Sequence, residues 1–198
     1  LPRPAPLDFA ARARHLVGSI RTMTAMTTDN PLLATAGLPR FSAIRPEHVV
    51  PAVDAVLADY RARIDGLLAA GAPRDFARVI LAGQECEDRL NLVWAPVSHL
   101  HGVADSDALR KVHSAAQAKI VEHASELGQN RELHAAVKAV AARADTPALP
   151  RAARTLIEHE LRDFRLSGVA LEEPARTRFR EIANELSKLA TGFEEAVL

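Results

Sequence analysis

Residues 46–67 read PEHVVPAVDAVLADYRARIDGL, and the spacing of the apolar side chains in this stretch decides the fold class. Apolar residues recur every three or four positions, at Val49, Val53, Val56, Tyr60, Ile64 and Leu67. This period lines them up along one face of an α-helix. Pro46 suits a first helical position, and Gly71 with Pro73 predicts the helix end. Pro51 would interrupt a helix that begins at Pro46. The regular part of the helix is therefore predicted to begin at either Pro46 or Pro51.

The same helical period continues along most of the chain beyond this stretch. It predicts a second helix from about Asp75 to Pro96, a third from near Ser106 to Gly128, a fourth from about Arg131, a fifth over residues 153–164 closed by Ser167 and Gly168, and a sixth from about Phe179. No strand-like alternation of four or more residues occurs. We therefore expect an all-α fold, a bundle of about six helices.

The first 45 residues lack this period and divide into two parts. Residues 1–25 hold four arginines against one acid, Asp8, which can indicate a transit segment. Chain ends that are not tied to a core are commonly disordered, and a disordered extension is the prediction here. Residues 26–45 are punctuated by Pro31, Gly37 and Pro39 and are predicted to form an extended arm. Residues 46–198 are expected to form the helical domain.

The last predicted helix carries the most regular apolar pattern. We call the set Phe179, Ile182, Leu186, Leu189, Phe193 and Val197 the carboxy-terminal stripe; its steps are 3, 4, 3, 4 and 4 residues. Such spacing resembles a coiled-coil seam and predicts a partner helix along its length. No Gly, Pro or cationic last turn follows the stripe, and Glu194 and Glu195 oppose the helix dipole. We therefore expect the helix to continue in a longer native protein.

Composition excludes several classes of function. Lys+Arg and Asp+Glu are equal at 25 each, so the basic excess typical of a nucleic-acid-binding domain is absent. No apolar run approaches the roughly 20 residues that span a bilayer, so no membrane partner is expected. The lone cysteine, Cys86, excludes an internal disulfide and multi-cysteine metal sites, which favours a reducing, cytoplasmic location. Cys86 lies on an apolar stripe and is predicted to be a small core residue.

The nearest approach to a metal site is His159-Glu160-x-x-Asp163. In the signature His-Glu-x-x-His, two histidines four apart bind zinc from one helical face, and the glutamate activates a zinc-bound water. Asp163 has the right spacing to replace the second histidine. However, Arg162 and Arg165 can pair with Asp163 and Glu160, and no third ligand is evident. A salt-bridged surface is therefore the prediction, with a small metal-binding protein as the lesser alternative.

The remaining candidates for chemistry also favour structural roles. His99 and His101 would point to opposite sides of a helix, and Pro96 suggests a helix start before them. His113 and His123 could flank a groove, but partly buried histidines satisfied by neighbours are expected. The carboxylate pairs Glu85/Asp88 and Glu181/Glu185 are explained by solvated helix faces, and His134 has no evident partner. We predict no catalytic, cofactor-binding or metal-binding residue in this chain.

Several motifs in sequence order resemble one known family. They are NPLL at residues 30–33, LPRFSAIRPEHVVPA at 38–52, PVSHL at 96–100, SDALR at 106–110, LRDFRLSG at 161–168, and the helix over 182–198 with LSKL at 186–189. Together they are similar to the amino-terminal stretch of the bacterial oligopeptidase A enzymes, within the thimet-oligopeptidase-like zinc metallopeptidases. The resemblance covers about residues 30–198. Ala196 departs from it, since an asparagine is expected there.

The resemblance implies a nearly all-helical metallopeptidase with a deep channel that admits short peptides. Its zinc site lies far toward the carboxyl end, and no position here matches those ligands, so no zinc is expected on this chain. The chain is then the amino-terminal part of a cytoplasmic zinc oligopeptidase and forms part of the channel wall. Its partners would be short peptides and the remainder of the same polypeptide. The alternative is a stand-alone helical interaction module that docks through the carboxy-terminal stripe.

Overall fold

The computed structural model describes residues 30–34, 37–143 and 145–197, and this part of the chain is all-α, without strands. Its six α-helices are α1 Pro46–Leu68, α2 Ala82–Val103, α3 Asp107–Gly128, α4 Arg131–Ala141, α5 Arg151–Leu166 and α6 Ala175–Val197. The predicted six-helix bundle is therefore confirmed. The predicted disordered extension, residues 1–25, lies outside the described residues. Within the described ranges, no helix combines the length and the apolarity that a membrane crossing requires.

Two prolines lie inside helices. Helix α1 begins at Pro46 and runs through Pro51, which is exposed near its amino-terminal end. The predicted stop at Pro96 is wrong, because α2 continues seven residues further, to Val103. An interior proline costs about 3 kcal/mol through its missing N–H and its clash with the preceding turn. At Pro96 this cost is offset by burial of Val93 and Val97, which flank it at 1% and 0% exposure.

The chain enters α2 through one turn and a half of π-helix, Phe76–Leu81. Asp75 caps it, because its carboxylate accepts a hydrogen bond from the backbone N–H of Arg78 at 2.9 Å. Helical structure thus begins directly after Asp75, as predicted, but its first segment is a π-helix, which is wider than an α-helix. Residues Val79 and Ile80 of this π segment are buried, at 3% exposure each.

The core consists of two apolar clusters, and α1 contributes to both. The first cluster gathers α1, α2 and α3 with two residues of the arm: Leu32, Ile44, Val49, Ala52, Val53, Val56, Leu57, Leu90, Val93, Val97, Leu109 and Ala116. The second gathers the far end of α1 with the π segment, α2, α4 and α5: Tyr60, Ile64, Val79, Ile80, Cys86, Leu133, Ala136, Val137, Val140, Ile157, Phe164 and Val169. The apolar residues whose spacing predicted α1 therefore pack in both clusters.

The predicted arm contains two single turns of 3₁₀ helix, Pro31–Leu33 and Phe41–Ala43. The side chain of Asn30 caps the first turn and also donates a hydrogen bond to the carbonyl of His48 at 2.8 Å. Leu32 and Ile44 enter the first core cluster. The described part of the arm thus contacts α1 through a hydrogen bond from Asn30 and packs into the first core cluster through Leu32 and Ile44.

Candidate functional site

The carboxy-terminal stripe exposes large apolar side chains along one side of helix α6. Its members Ile182, Leu186, Leu189 and Phe193 are 42%, 61%, 63% and 71% exposed. A long apolar row of this kind on a helix commonly marks an interaction surface. The predicted partner helix is therefore absent from the described part of the chain. The side chain of Val197, the last member of the stripe, lies outside the described part of the chain.

Helix α6 packs on α3 through a different face, made of small side chains. Thr191 is buried on this face, and its hydroxyl donates to the side-chain carbonyl of Gln117 on α3 at 2.9 Å. Ala183 and Ser187 precede Thr191 at four-residue intervals and are partly buried. Small residues at this spacing allow a close approach between helices, so α6 is held on one side while its leucine side stays open.

The His159–Asp163 pair lies on an exposed part of α5. His159 is exposed, and the Asp163 carboxylate accepts from Arg162 at 2.9 Å. Glu160 accepts a hydrogen bond from Gln84 of α2 at 2.9 Å, in place of the predicted arginine. Nowhere in residues 30–34, 37–143 and 145–197 do three His, Cys, Asp or Glu side chains converge as a metal would require. The absence of catalytic and metal residues from the chain stays a prediction.

Three rings from two helices stack on one another beside the first core cluster. His101 lies in the last turn of α2, and its ring stacks on His113 of α3 with centroids 4.0 Å apart. Trp94 stacks on His113 at 4.7 Å. The helix start predicted before His99 is thus wrong, because α2 carries both histidines, His99 exposed and His101 buried.

The expectation that His113 and His123 are satisfied by neighbours is wrong for both ring nitrogens of His123 and for one of His113. His101 Nε2, His113 Nδ1 and both ring nitrogens of His123 are buried without a hydrogen-bond partner among the described residues. Burial, followed by the nearby His101, lowers the pKa of His113 from 6.5 to about 4. Burial likewise lowers the pKa of His123, whose ring meets Tyr60 edge-on at 4.7 Å. Both histidines are therefore neutral at pH 7.

Carboxylates with raised pKa values occur in a place that the sequence did not indicate. Of the pairs considered from sequence, Glu85 bonds to Arg63 at 3.1 Å and Glu181 to Arg178 at 3.1 Å, as solvated surface residues do. Instead, burial raises the pKa of Glu87, and Asp88 adds to the effect. Burial also raises the pKa of Glu160, with Asp163 adding to it. Glu87 lies on α2 and Glu160 on α5, and the contact between these helices brings the two carboxylates near each other. The spacing of apolar residues in the sequence does not indicate this contact.

Cys86 occupies the second core cluster, as predicted. It is 4% exposed, and burial raises the pKa of its thiol to about 11. A thiol with so high a pKa is protonated at neutral pH and is a poor nucleophile. The structure thus confirms a packing role for this side chain.

Comparison with known proteins assigns the family. The model of the neurolysin/thimet oligopeptidase amino-terminal domain matches residues 53–176. Oligopeptidase A of Salmonella typhimurium is 37% identical over 85% of this chain, and that of Haemophilus influenzae is 38% identical over 87%. A probable cytosolic oligopeptidase A of Arabidopsis thaliana is 33% identical over 86%. The chain spans about a quarter of the length of these relatives, 25%, 25% and 24%. It belongs to the neurolysin/thimet oligopeptidase family and carries that family's amino-terminal domain.

Proposed function

We propose that this chain is the amino-terminal part of a cytoplasmic, zinc-dependent oligopeptidase that hydrolyses short peptides. The observation that carries the proposal is the identity of 36–38% to three bacterial oligopeptidases A, aligned over a quarter of each. The zinc site is assigned to the remainder of the polypeptide. This part supplies a wall of the peptide channel and performs no chemistry.

The carboxy-terminal stripe supports the same proposal through its exposure. Burying the side chains of Leu186, Leu189 and Phe193 would contribute roughly 1.5–3 kcal/mol each if they were fully exposed, and less here because they are already partly covered. The surface is therefore suited to a permanent contact, and we assign it to the remainder of the same polypeptide.

Peptide cleavage by the complete protein tests the proposed activity. The protein encoded by the whole gene is expected to cleave a quenched fluorescent peptide, to lose this activity with a chelator, and to regain it with added zinc. The 198-residue chain alone is the matched control and is expected to be inactive. Chelator-resistant cleavage by the complete protein, or cleavage by the 198-residue chain, would contradict the proposal.

Co-purification tests the assigned contact. The 198-residue chain is produced together with the remainder of the polypeptide as a separate chain, and the two are expected to purify as a complex. Leu186→Glu and Leu189→Glu should abolish the complex, because each places a charge in an apolar interface. Lys188→Glu lies on the same helix outside the stripe and should leave the complex intact.

The exposed stripe also favours one alternative, a stand-alone helical module that docks through it. A module of this kind is expected to be a stable monomer or a defined dimer that unfolds cooperatively. An incomplete domain is expected to self-associate and to bind an apolar dye through the same surface. Sedimentation equilibrium of the 198-residue chain, with and without Leu186→Glu, separates the two outcomes.

A further inference from the structure

A cavity of about 290 Å³ opens into the second core cluster between the π segment and helices α1, α2, α3, α4 and α5. Most of its lining is apolar and includes Ile64, Val79, Leu90, Ile120, Leu133 and Phe164. Its size is at the lower end of the range of small-molecule pockets, roughly 300–1,000 Å³. A concave site that is lined mostly by apolar side chains and carries a few polar groups has the usual form of a small-molecule pocket.

The inner end of the cavity carries a polar group that lacks a partner. His123 lines the cavity, is 3% exposed, and has no hydrogen-bond partner at either ring nitrogen among the described residues. A buried polar group left unpaired costs roughly 1–3 kcal/mol. A neutral imidazole has one donor and one acceptor nitrogen. An occupant with a hydroxyl group could satisfy either of them.

The mouth of the cavity is acidic. Glu87 and Glu160 line it, and we call these two the mouth carboxylates. Asp163 lines it as well but accepts from Arg162 at 2.9 Å, and Glu160 accepts from Gln84 at 2.9 Å. Glu87 and Asp163 are exposed and Glu160 is partly buried, whereas His123 and its neighbour Tyr60 are buried. No basic side chain lowers the pKa of Glu87 or Glu160, and burial raises both. A cation placed between them would stabilise their charged forms.

We propose that this cavity is a binding site for a small hydroxylated arylalkylamine, with its ammonium group between the mouth carboxylates, its ring in the apolar interior and its hydroxyl at His123. A metal ion fits less well, because in the described part of the chain no three side chains of the ligating types converge. The ring has apolar and aromatic neighbours, including Phe164 and Tyr60. This site is independent of the proposed peptidase activity.

Binding of tyramine to the 198-residue chain tests the site. Tyramine carries the amine, the ring and the hydroxyl; phenethylamine lacks the hydroxyl, and 4-ethylphenol lacks the amine. Titrations followed by backbone amide NMR shifts are expected to place tyramine at residues of α2, α3 and α5 that line the cavity. Tyramine should bind several-fold more tightly than either comparison compound, because each lacks one of the two polar contacts.

Variants locate the two contacts. Glu87→Gln and Glu160→Gln should each weaken tyramine binding about threefold to tenfold and leave 4-ethylphenol unaffected. Glu181→Gln on α6, far along the chain from the cavity residues, is the charge-matched control and should change neither. His123→Phe should remove the preference for tyramine over phenethylamine.

Two results would overturn the site. One is the absence of shifts at the cavity with millimolar tyramine, measured on the unaltered chain. The other is equal affinity for tyramine and 4-ethylphenol, which would reduce the cavity to a nonspecific apolar void. Because both results come from the unaltered chain, a variant that fails to fold does not affect them.

Discussion

Acid should destabilise this domain through His113, and the size of the effect follows from the pKa of this side chain. The pKa of this side chain is about 4 in the folded chain and 6.5 when unperturbed. The unfolded chain therefore binds a proton at His113 between these two values while the folded chain does not, so stability falls as pH decreases across that range. The difference of about 2.5, at about 1.4 kcal/mol for each pKa unit, amounts to about 3 kcal/mol. Below about pH 4 both states are protonated and the loss from this residue ends.

Urea unfolding of the unaltered chain and of His113→Phe, measured from pH 7 to pH 4, isolates this contribution. Phenylalanine keeps a ring between Trp94 and His101 but cannot titrate, so the stability difference between the two proteins should change by about 3 kcal/mol over the range. His159→Gln, at an exposed position of α5, is the control and should follow the unaltered chain. Parallel curves for the unaltered chain and His113→Phe would refute a neutral buried His113.

Three further substitutions test the packing and capping of the helices by chemical denaturation. Gly128→Ala should destabilise the chain by about 1–3 kcal/mol, because its new Cβ would lie 2.6 Å from the Cβ of Ser167; unchanged stability would contradict the close approach. Gly66→Ala has open space around the new Cβ and should stabilise α1 by up to about 1 kcal/mol. Ser106→Ala should cost about 1 kcal/mol, because the Ser106 hydroxyl caps α3 by accepting from the N–H of Leu109 at 3.2 Å; a neutral result would mean that another group caps this helix.

The helices that the sequence predicts well are those with local signals at their ends. Ser106 and Asn130 cap α3 and α4, and each lies at the predicted boundary. At Pro96 the local signal fails, because the burial of Val93 and Val97 against other helices decides whether α2 continues. A proline in the sequence indicates only the local destabilisation of the helix. The contacts that offset this destabilisation involve residues that are distant in sequence.

Candidate sites were harder to predict for the same reason. Helical spacing relates His113 to His123, ten residues apart on one helix, but each finds its neighbour on a different element. His113 stacks on His101 of α2, and His123 meets Tyr60 of α1. The raised pKa of Glu160 likewise depends on its burial between α2 and α5, where Gln84 donates to it. Periodicity identifies which face of a helix is buried, but it does not identify the residues that cover that face.

The position of α1 across both core clusters has a consequence for how the domain unfolds. Its first half packs in one cluster through Val49 and Val53, and its second half packs in the other through Tyr60 and Ile64. Unfolding of α1 would remove packing from both clusters at once. The stability of each cluster therefore depends on the other. Amide protons of α1 should therefore exchange only through global opening, and a core substitution in one cluster should accelerate exchange in the other.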